Sequence, residues 1–455
     1  MKLQRKQILA LLLLAVLAAV TALGVLLFQT VPVNEPRVEA SSAEVLSSLT
    51  ESSKAESSNP SSESPLSSEE ASSVPSSRTE PKPPSSTPEK KPQSSAPPAS
   101  SAPSVQKPQT STPSGKYIVG YYASWARSSG LPATSLDASL LTHINYAFAD
   151  ISSNGELRLP NSTTDLKNFE DLRTLKRSNP HLKTLISVGG WDYSSNFSST
   201  AANASARSRF AQSCADFIVT HGFDGVDLDW EFPKSADRQN FTLLLKEIRS
   251  RLDQLASQNG RPYYLTIAGS PDKSFLSSIE PQAVASLVDY IFLMGYDMHG
   301  PWDKYADLNA PLYPTSGTSP HYSNSLSQSV SYYKNAGVPA KKIILGMPLY
   351  GYQYTTTGST PTGLFSPFTS AKSIGYDKLL AGPLANSSFR RYFSDSSRVP
   401  YLYDGTTFIS YDDESSIAEK ATFALSNGLG GVGAWELSHD REFRLLGSAF
   451  KALNP

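Results

Sequence analysis

One cysteine, Cys214, in 455 residues excludes a disulfide framework. It lies in Phe210-Ala-Gln-Ser-Cys-Ala-Asp-Phe-Ile218, a helical pattern in which a small buried thiol is expected rather than a nucleophile. Histidine is sparse too: six residues, scattered singly, with no HExxH and no Cys/His cluster, so no transition-metal site is expected. An excess of one charge sign is also missing. The formal net charge of -1 gives no footprint for nucleic acid or an acidic polymer. No Gly-rich phosphate loop follows the first apolar segment, which argues against a dinucleotide site, and no cofactor is expected.

What is present divides the chain into three stretches. Lys2, Arg5 and Lys6 precede an unbroken run from Ile8 to Phe28. The run exceeds a signal-peptide core of about 7–15 residues. It approaches the roughly 20 residues that span a bilayer. Residues 1–29 therefore read as a transmembrane anchor or signal peptide, and the run continuing past a cleavage-like Ala22 favours the anchor. The basic flank stays inside by the positive-inside rule, which places the rest outside the cell, surface-anchored or secreted. Residues 30–115 are mostly Ser, Pro, Glu and Lys, a composition that cannot bury a core. They read as a disordered spacer, spanning about 50 Å as a flexible coil and more if Pro stiffens it.

Residues 116–455 change character. Apolar segments recur at 117–122, 142–148, 183–188, 225–231, 264–268, 290–294, 342–347 and 431–435. Amphipathic stretches such as 207–220, 237–255 and 414–426 lie between them. Eight strands alternating with helices predict a (β/α)8 TIM barrel, with an open doubly wound sheet as the alternative. One interval is too long for the scheme. Between strands seven and eight, residues at about 352–408 predict a small α+β insertion, with Phe365, Phe368, Tyr376, Phe389, Tyr392 and Phe393 as its core.

The fourth of these strands is unusual. In Asp224-Gly-Val-Asp-Leu-Asp-Trp-Glu231, the acids Asp227, Asp229 and Glu231 alternate with Val226, Leu228 and Trp230. Alternate side chains share a face, so three carboxylates form a column. Buried together they cost several kcal/mol unless they are hydrogen-bonded or share protons. A solvated edge strand and a Mg²⁺ or Ca²⁺ site are the competing readings; the narrow stack and the lack of a carbonyl-rich loop count against the second. As a catalytic set, Glu231 is outermost and suits a general acid whose pKa is raised by neighbouring charge. Asp227 and Asp229 lie deeper and would tend to share a proton. Met294-Gly-Tyr-Asp297 ends the sixth strand with a phenol and a further acid.

All five tryptophans (Trp125, Trp191, Trp230, Trp302 and Trp435) fall at a strand end or in the loop after one. Barrel active sites open at those ends. Indoles gathered at one rim suit a pyranose cleft, because flat apolar faces stack on sugar C–H groups. By alternation Trp230 should face the helices, a structural place. Trp435 should floor the site.

At this point the chain resembles glycoside hydrolase family 18, specifically its bacterial-type chitinases. Residues 224–231 match the DGxDxDxE signature in full, and Ser187-Val-Gly-Gly190 matches SxGG. Further matches are Leu293-Met-Gly-Tyr-Asp297, Gly346-Met-Pro-Leu-Tyr-Gly351, Ile409-Ser-Tyr-Asp-Asp413 and Gly430-Gly-Val-Gly-Ala-Trp-Glu436. The resemblance covers 116–455 and none of 1–115. It implies hydrolysis of β-1,4-linked N-acetylglucosamine polymers, chitin above all, with substrate-assisted retention. Glu231 would act as acid and then base, and Asp229 would orient the acetamide. Asp227 would back Asp229, and Tyr296 would hold the acetamido oxygen. Expected substrate contacts are Trp435, Asp297, Met294 and Tyr121, with Phe148, Trp191, Trp302 and Tyr350 around them. A monomer is expected, with the membrane as its other contact. An endo-β-N-acetylglucosaminidase acting on peptidoglycan or N-glycans, and a non-catalytic chitin-binding lectin-like protein, are the alternatives. Two departures touch subsites only: the short loop 232–238, and Gly295 where the family has Thr.

Overall fold

A computed structural model describes residues 114–316, 324–358 and 360–455. The expected membrane run and spacer, up to residue 113, lie outside the described residues. Among the described residues, no helix is long and apolar enough to cross a membrane.

The apolar segments form strands, and the amphipathic stretches form helices that cover them. In chain order the first half comprises β1 (Tyr117–Ala123), β2 (His143–Ile151), the short β3 (Leu157–Arg158), α1 (Ser162–Ser178), β4 (Lys183–Gly189), α2 (Phe197–Ala202) and α3 (Ala204–His221). Then follow β5 (Gly225–Asp229), α4 (Arg238–Asn259), β6 (Tyr264–Gly269), α5 (Lys273–Ser277), α6 (Pro281–Leu287), β7 (Tyr290–Leu293), α7 (Leu326–Asn335) and β8 (Ile343–Pro348). Local chemistry sets the limits of α3: the Asn203 side chain accepts from the Ala206 N–H, and Gly222 closes the helix at φ 76°. Cys214 is buried on this helix.

Eight strands pair in parallel in the order β1-β2-β4-β5-β6-β7-β8 and then β14 (Gly431–Trp435), which returns to β1. Pairing of β1 on both sides closes the barrel and rules out the open sheet. β3 adds a two-residue antiparallel pairing to β2. The predicted strand over 225–231 is shorter in the structure: it ends at Asp229, and Trp230 and Glu231 turn out into the loop.

Between β8 and β14 the chain builds the insertion. It is a five-stranded antiparallel sheet of β9 (Tyr350–Thr356), β10 (Phe368–Gly375), β11 (Arg390–Ser394), β12 (Val399–Tyr403) and β13 (Thr407–Ser410), with α8 (Tyr376–Ala381) beside it. Its strands run from 350 to 410, slightly beyond the predicted limits. Tyr354, Phe408 and Phe368 pack as its aromatic core. The chain then enters α9 (Glu414–Ser426), opened by the Asp413 capping box, and after β14 ends on α10 (Arg444–Leu453).

The barrel interior is filled in layers. Tyr117, His143, Tyr264 and Tyr290 close the end where the strands begin, with ring centroids 4.7–5.8 Å apart. Above them Phe292 fills the centre. A Cβ at Gly433 would lie 2.3 Å from its ring and one at Gly346 2.7 Å, so both strands need glycine there.

Candidate active site

β5 carries its acids up through the barrel toward the ends where the loops begin. Asp227 is fully buried. One of its oxygens accepts from Tyr121 Oη and Ser187 Oγ, both at 2.8 Å, and the other from Thr266 Oγ1 at 2.6 Å. Burial raises its pKa, opposed by those hydroxyl donors. Asp229 is buried one step higher, and its Oδ1 has no hydrogen-bond partner. Burial first, then Glu231 and Asp227, hold its carboxyl well above the usual range. Glu231 stands half-buried just past the strand. Burial, then Asp297 and Asp192, push its pKa up to about 7. Three acids so close cannot all ionise near neutrality, so a proton is held within the column.

The SxGG turn grips this column from the side. A Cβ on Gly189, at φ 112°, would fall 2.1 Å from the Asp229 carbonyl oxygen, which excludes every other residue. Gly190 N–H donates to that oxygen at 2.7 Å. Ser194 Oγ donates to the Gly190 carbonyl and accepts the Glu231 N–H, both at 2.9 Å.

Across the cleft the chain after β7 supplies Tyr296 and Asp297. Tyr296 is buried, and its phenol is pushed well above its ordinary pKa by burial and then by Asp229, Asp297, Glu231 and Asp227 in turn. Asp297 opens onto the cleft, yet the protein around it still raises its pKa. Its Oδ1 accepts from the phenols of Tyr350 and, at 2.8 Å, Tyr352. The hydroxyls tend to lower the pKa that enclosure raises. Among the described residues, no group of three or more His, Cys, Asp and Glu side chains is arranged to hold a metal ion.

Aromatic rings line the rim. Trp435 stacks on Phe148 at 5.6 Å and 25°, and meets Tyr121 at 5.5 Å and Trp125 at 6.3 Å, both edge-on. Trp302 meets Tyr352 edge-on at 5.9 Å. It lies so close over Gly300 that a Cβ there would be 2.4 Å from the indole. Trp191 and Trp302 are 78% and 62% exposed, a large apolar area to leave in water without a ligand. Trp230 is buried against Phe197 and Phe241 in the helix layer, as alternation predicts.

The structure thus brings Asp227, Asp229, Glu231, Tyr296, Asp297, Tyr350 and Trp435 to one end of the barrel. Met294 is buried there, its N–H donating to Gly269 O at 2.9 Å. Tyr121 is 1% exposed at the same end, with its hydroxyl committed to Asp227. Sequence reasoning missed Tyr352 as a partner of Asp297, although Tyr350 and Tyr352 alternate on one strand and therefore share a face. It gave no site role to Ser194, and counted Trp125 among the rim indoles without a partner.

Comparison with known proteins places this geometry. The sequence model of "Glycosyl hydrolases family 18" matches residues 117–440. The chain is similar to Chitinase A1 of Niallia circulans, 36% identical over 407 residues, covering 74% of this chain and 58% of that protein. It therefore spans little more than half the length of that relative. Among solved structures, Chitinase ChiA74 from Bacillus thuringiensis superimposes with a TM-score of 0.71 at 32% identity, over 74% of this chain and 69% of that one. A family 18 N-acetylglucosaminidase from Paenibacillus barengoltzii gives a TM-score of 0.68 at 34% identity, over 74% and 99% respectively. With a family match over most of the chain and a closed barrel carrying an acidic column, this protein belongs to glycosyl hydrolase family 18.

Proposed function

We propose that the protein is a chitinase that cleaves β-1,4-linked N-acetylglucosamine polymers with retention, using the substrate's own acetamide as nucleophile. One observation carries the reading. Glu231, half-buried at the cleft and raised to about 7, lies next in the column to a buried Asp229 whose Oδ1 is free to accept a proton donor.

In the first step Glu231 gives its proton to the glycosidic oxygen as the C1–O bond breaks. The acetamido carbonyl oxygen closes on C1 to form an oxazolinium ion. Asp229 accepts the acetamido N–H and balances the positive charge, and Tyr296 donates to the acetamido oxygen. Asp227, already supplied with three hydroxyl donors, stays behind Asp229 and shares its proton. In the second step Glu231, now a carboxylate, takes a proton from water. The hydroxide so formed attacks C1, opens the ring and restores the starting configuration. Trp435 and Phe148 form the floor, Asp297 and Tyr350 the wall, Met294 the base beside them, and Trp191 and Trp302 the flanks of the chain-binding cleft.

Replacing Glu231 by Gln removes the proton at the bond that breaks. Hydrolysis of chitin oligomers should fall by about 10³-fold or more while binding persists. Retained activity would end the reading. The likeness to an N-acetylglucosaminidase favours a second reading, release of single terminal sugars. Product profiles from chitohexaose, purified peptidoglycan and an N-glycan separate these: dimers and trimers from chitin support the first reading, monomers alone the second. A lectin-like role requires that no substrate is cleaved. We place the catalytic unit outside the cell as a monomer, held at the membrane by residues 8–28 with the Ser/Pro stretch as spacer. Mass spectrometry of the mature N-terminus and sizing of the detergent-free domain test both points.

A further inference from the structure

Asp297 sits at φ 57°, a left-handed conformation uncommon outside glycine and, among other residues, commonest for Asp and Asn. The surroundings here converge on one buried amide. Asp297 N–H donates to Asn309 Oδ1 at 2.9 Å. Asn309 Nδ2 donates to the Tyr350 carbonyl at 3.3 Å, and its main-chain N–H donates to Ser410 Oγ at 2.7 Å. Its carbonyl accepts the Met298 N–H at 3.0 Å. Asn309 is 1% exposed, and its bonds to Tyr350 and Ser410 form away from water. Tyr350 completes a ring by giving its phenol to the Asp297 carboxylate. Tyr350 opens β9 and Ser410 ends β13, so the ring joins the loop after β7 to two strands of the insertion.

We propose that Asn309 is a positioning residue that fixes the Asp297 carboxylate beside Glu231 and makes the inserted sheet part of the acid's surroundings. The proposal rests on the reading of Glu231 as the proton donor. Titratable groups facing Glu231 are Asp229, Asp192, Asp297 and Tyr296. Those facing Asp297 are Glu231, Tyr296, Tyr350, Tyr352 and Tyr354. Without the Asn309 amide, Asp297 is released toward ordinary backbone angles and its carboxylate leaves its place. Glu231 then loses a negative neighbour and gives up its proton at lower pH.

The test measures kcat/KM against pH on a fluorogenic N-acetylglucosamine disaccharide, in the full chain. Asn309→Ala should move the basic limb down by about half a pH unit or more and lower kcat by about tenfold. The double variant Asn309→Ala/Asp297→Asn should move the limb no further than Asp297→Asn alone, because the amide acts through that carboxylate. Should Asn309→Ala fail to fold, Ser410→Ala removes one anchor of the same amide and should shift the limb in the same direction. A basic limb unmoved in a folded variant, or additive shifts in the double variant, overturns the proposal. An inactive wild type, or full activity in Glu231→Gln, would overturn the catalytic reading instead.

Discussion

The two ends of the barrel interior bury ionisable groups by the same means and obtain opposite results. At the closed end, His143 lies among Tyr117, Tyr264 and Tyr290. Burial, opposed by Asp224 and aided by Lys183, lowers its pKa to about 3. At the open end, burial and like charges raise Glu231 to about 7. Desolvation disfavours the charged form in both places. It drives a base away from neutral pH and draws an acid toward it. His143 is therefore neutral throughout the working range, whereas the open end holds a proton that can leave near pH 7. A barrel that performs acid catalysis in its own interior needs carboxylates, not imidazoles, at its mouth.

After the loss expected for Glu231→Gln, the next largest break separates the two deeper acids. Asp229 has an unpartnered Oδ1, whereas Asp227 is fully supplied with donors. Asp229→Asn should lower kcat by about 10²-fold or more, in the range of losing one preorganised electrostatic partner of a transition state. Asp227→Asn should cost roughly tenfold less, because it acts only through its neighbour. Steady-state kcat for the two variants decides it. If Asp227→Asn proves the more damaging, the division of labour along β5 is reversed.

Much of this contrast was legible in the chain, because it depends on period and order. Alternation in 224–231 put three acids on one face, and eight apolar segments predicted the closed barrel that makes that face an interior. The 60-residue excess before the last strand announced the insertion. Contacts made by loops and between distant elements were not legible. Glu231 leaves the strand because β5 ends at Asp229, and no local pattern marks that end. Asn309 lies in a loop with no period, yet bonds to residues 41 and 101 positions away. Tyr121 alternates like a cleft residue, but it meets Trp435 edge-on, a contact that depends on a strand more than 300 residues later.

A smaller effect sharpens the upper half of the comparison. Asp297 is the first charge, after burial, that raises Glu231. Asp297→Asn removes it, so Glu231 should ionise below about 7. Activity needs protonated Glu231 in the first step, so the basic limb of kcat/KM should move to lower pH. A shift of about half to one unit is expected. A limb that stays fixed, or moves upward, would mean that Asp297 does not raise Glu231, which leaves burial and Asp192.

The smallest effect on activity, and the one specific to the closed end, concerns His143. Its folded pKa of about 3 lies below the ordinary 6.5, so between those values the unfolded chain binds a proton that the folded chain does not. Folding stability must then rise with pH across that window, by at most about 1.4 kcal/mol per unit from this group, and fall as acid is added. His143→Phe removes the titration and keeps an aromatic ring against Tyr264 at the same place. Denaturant melts at pH 4 and pH 7 should therefore differ less in the variant than in the wild type, while kcat at pH 6 stays within about twofold. An unchanged pH slope would show that His143 is charged or solvated at the base of the barrel, against the contrast drawn between the two ends.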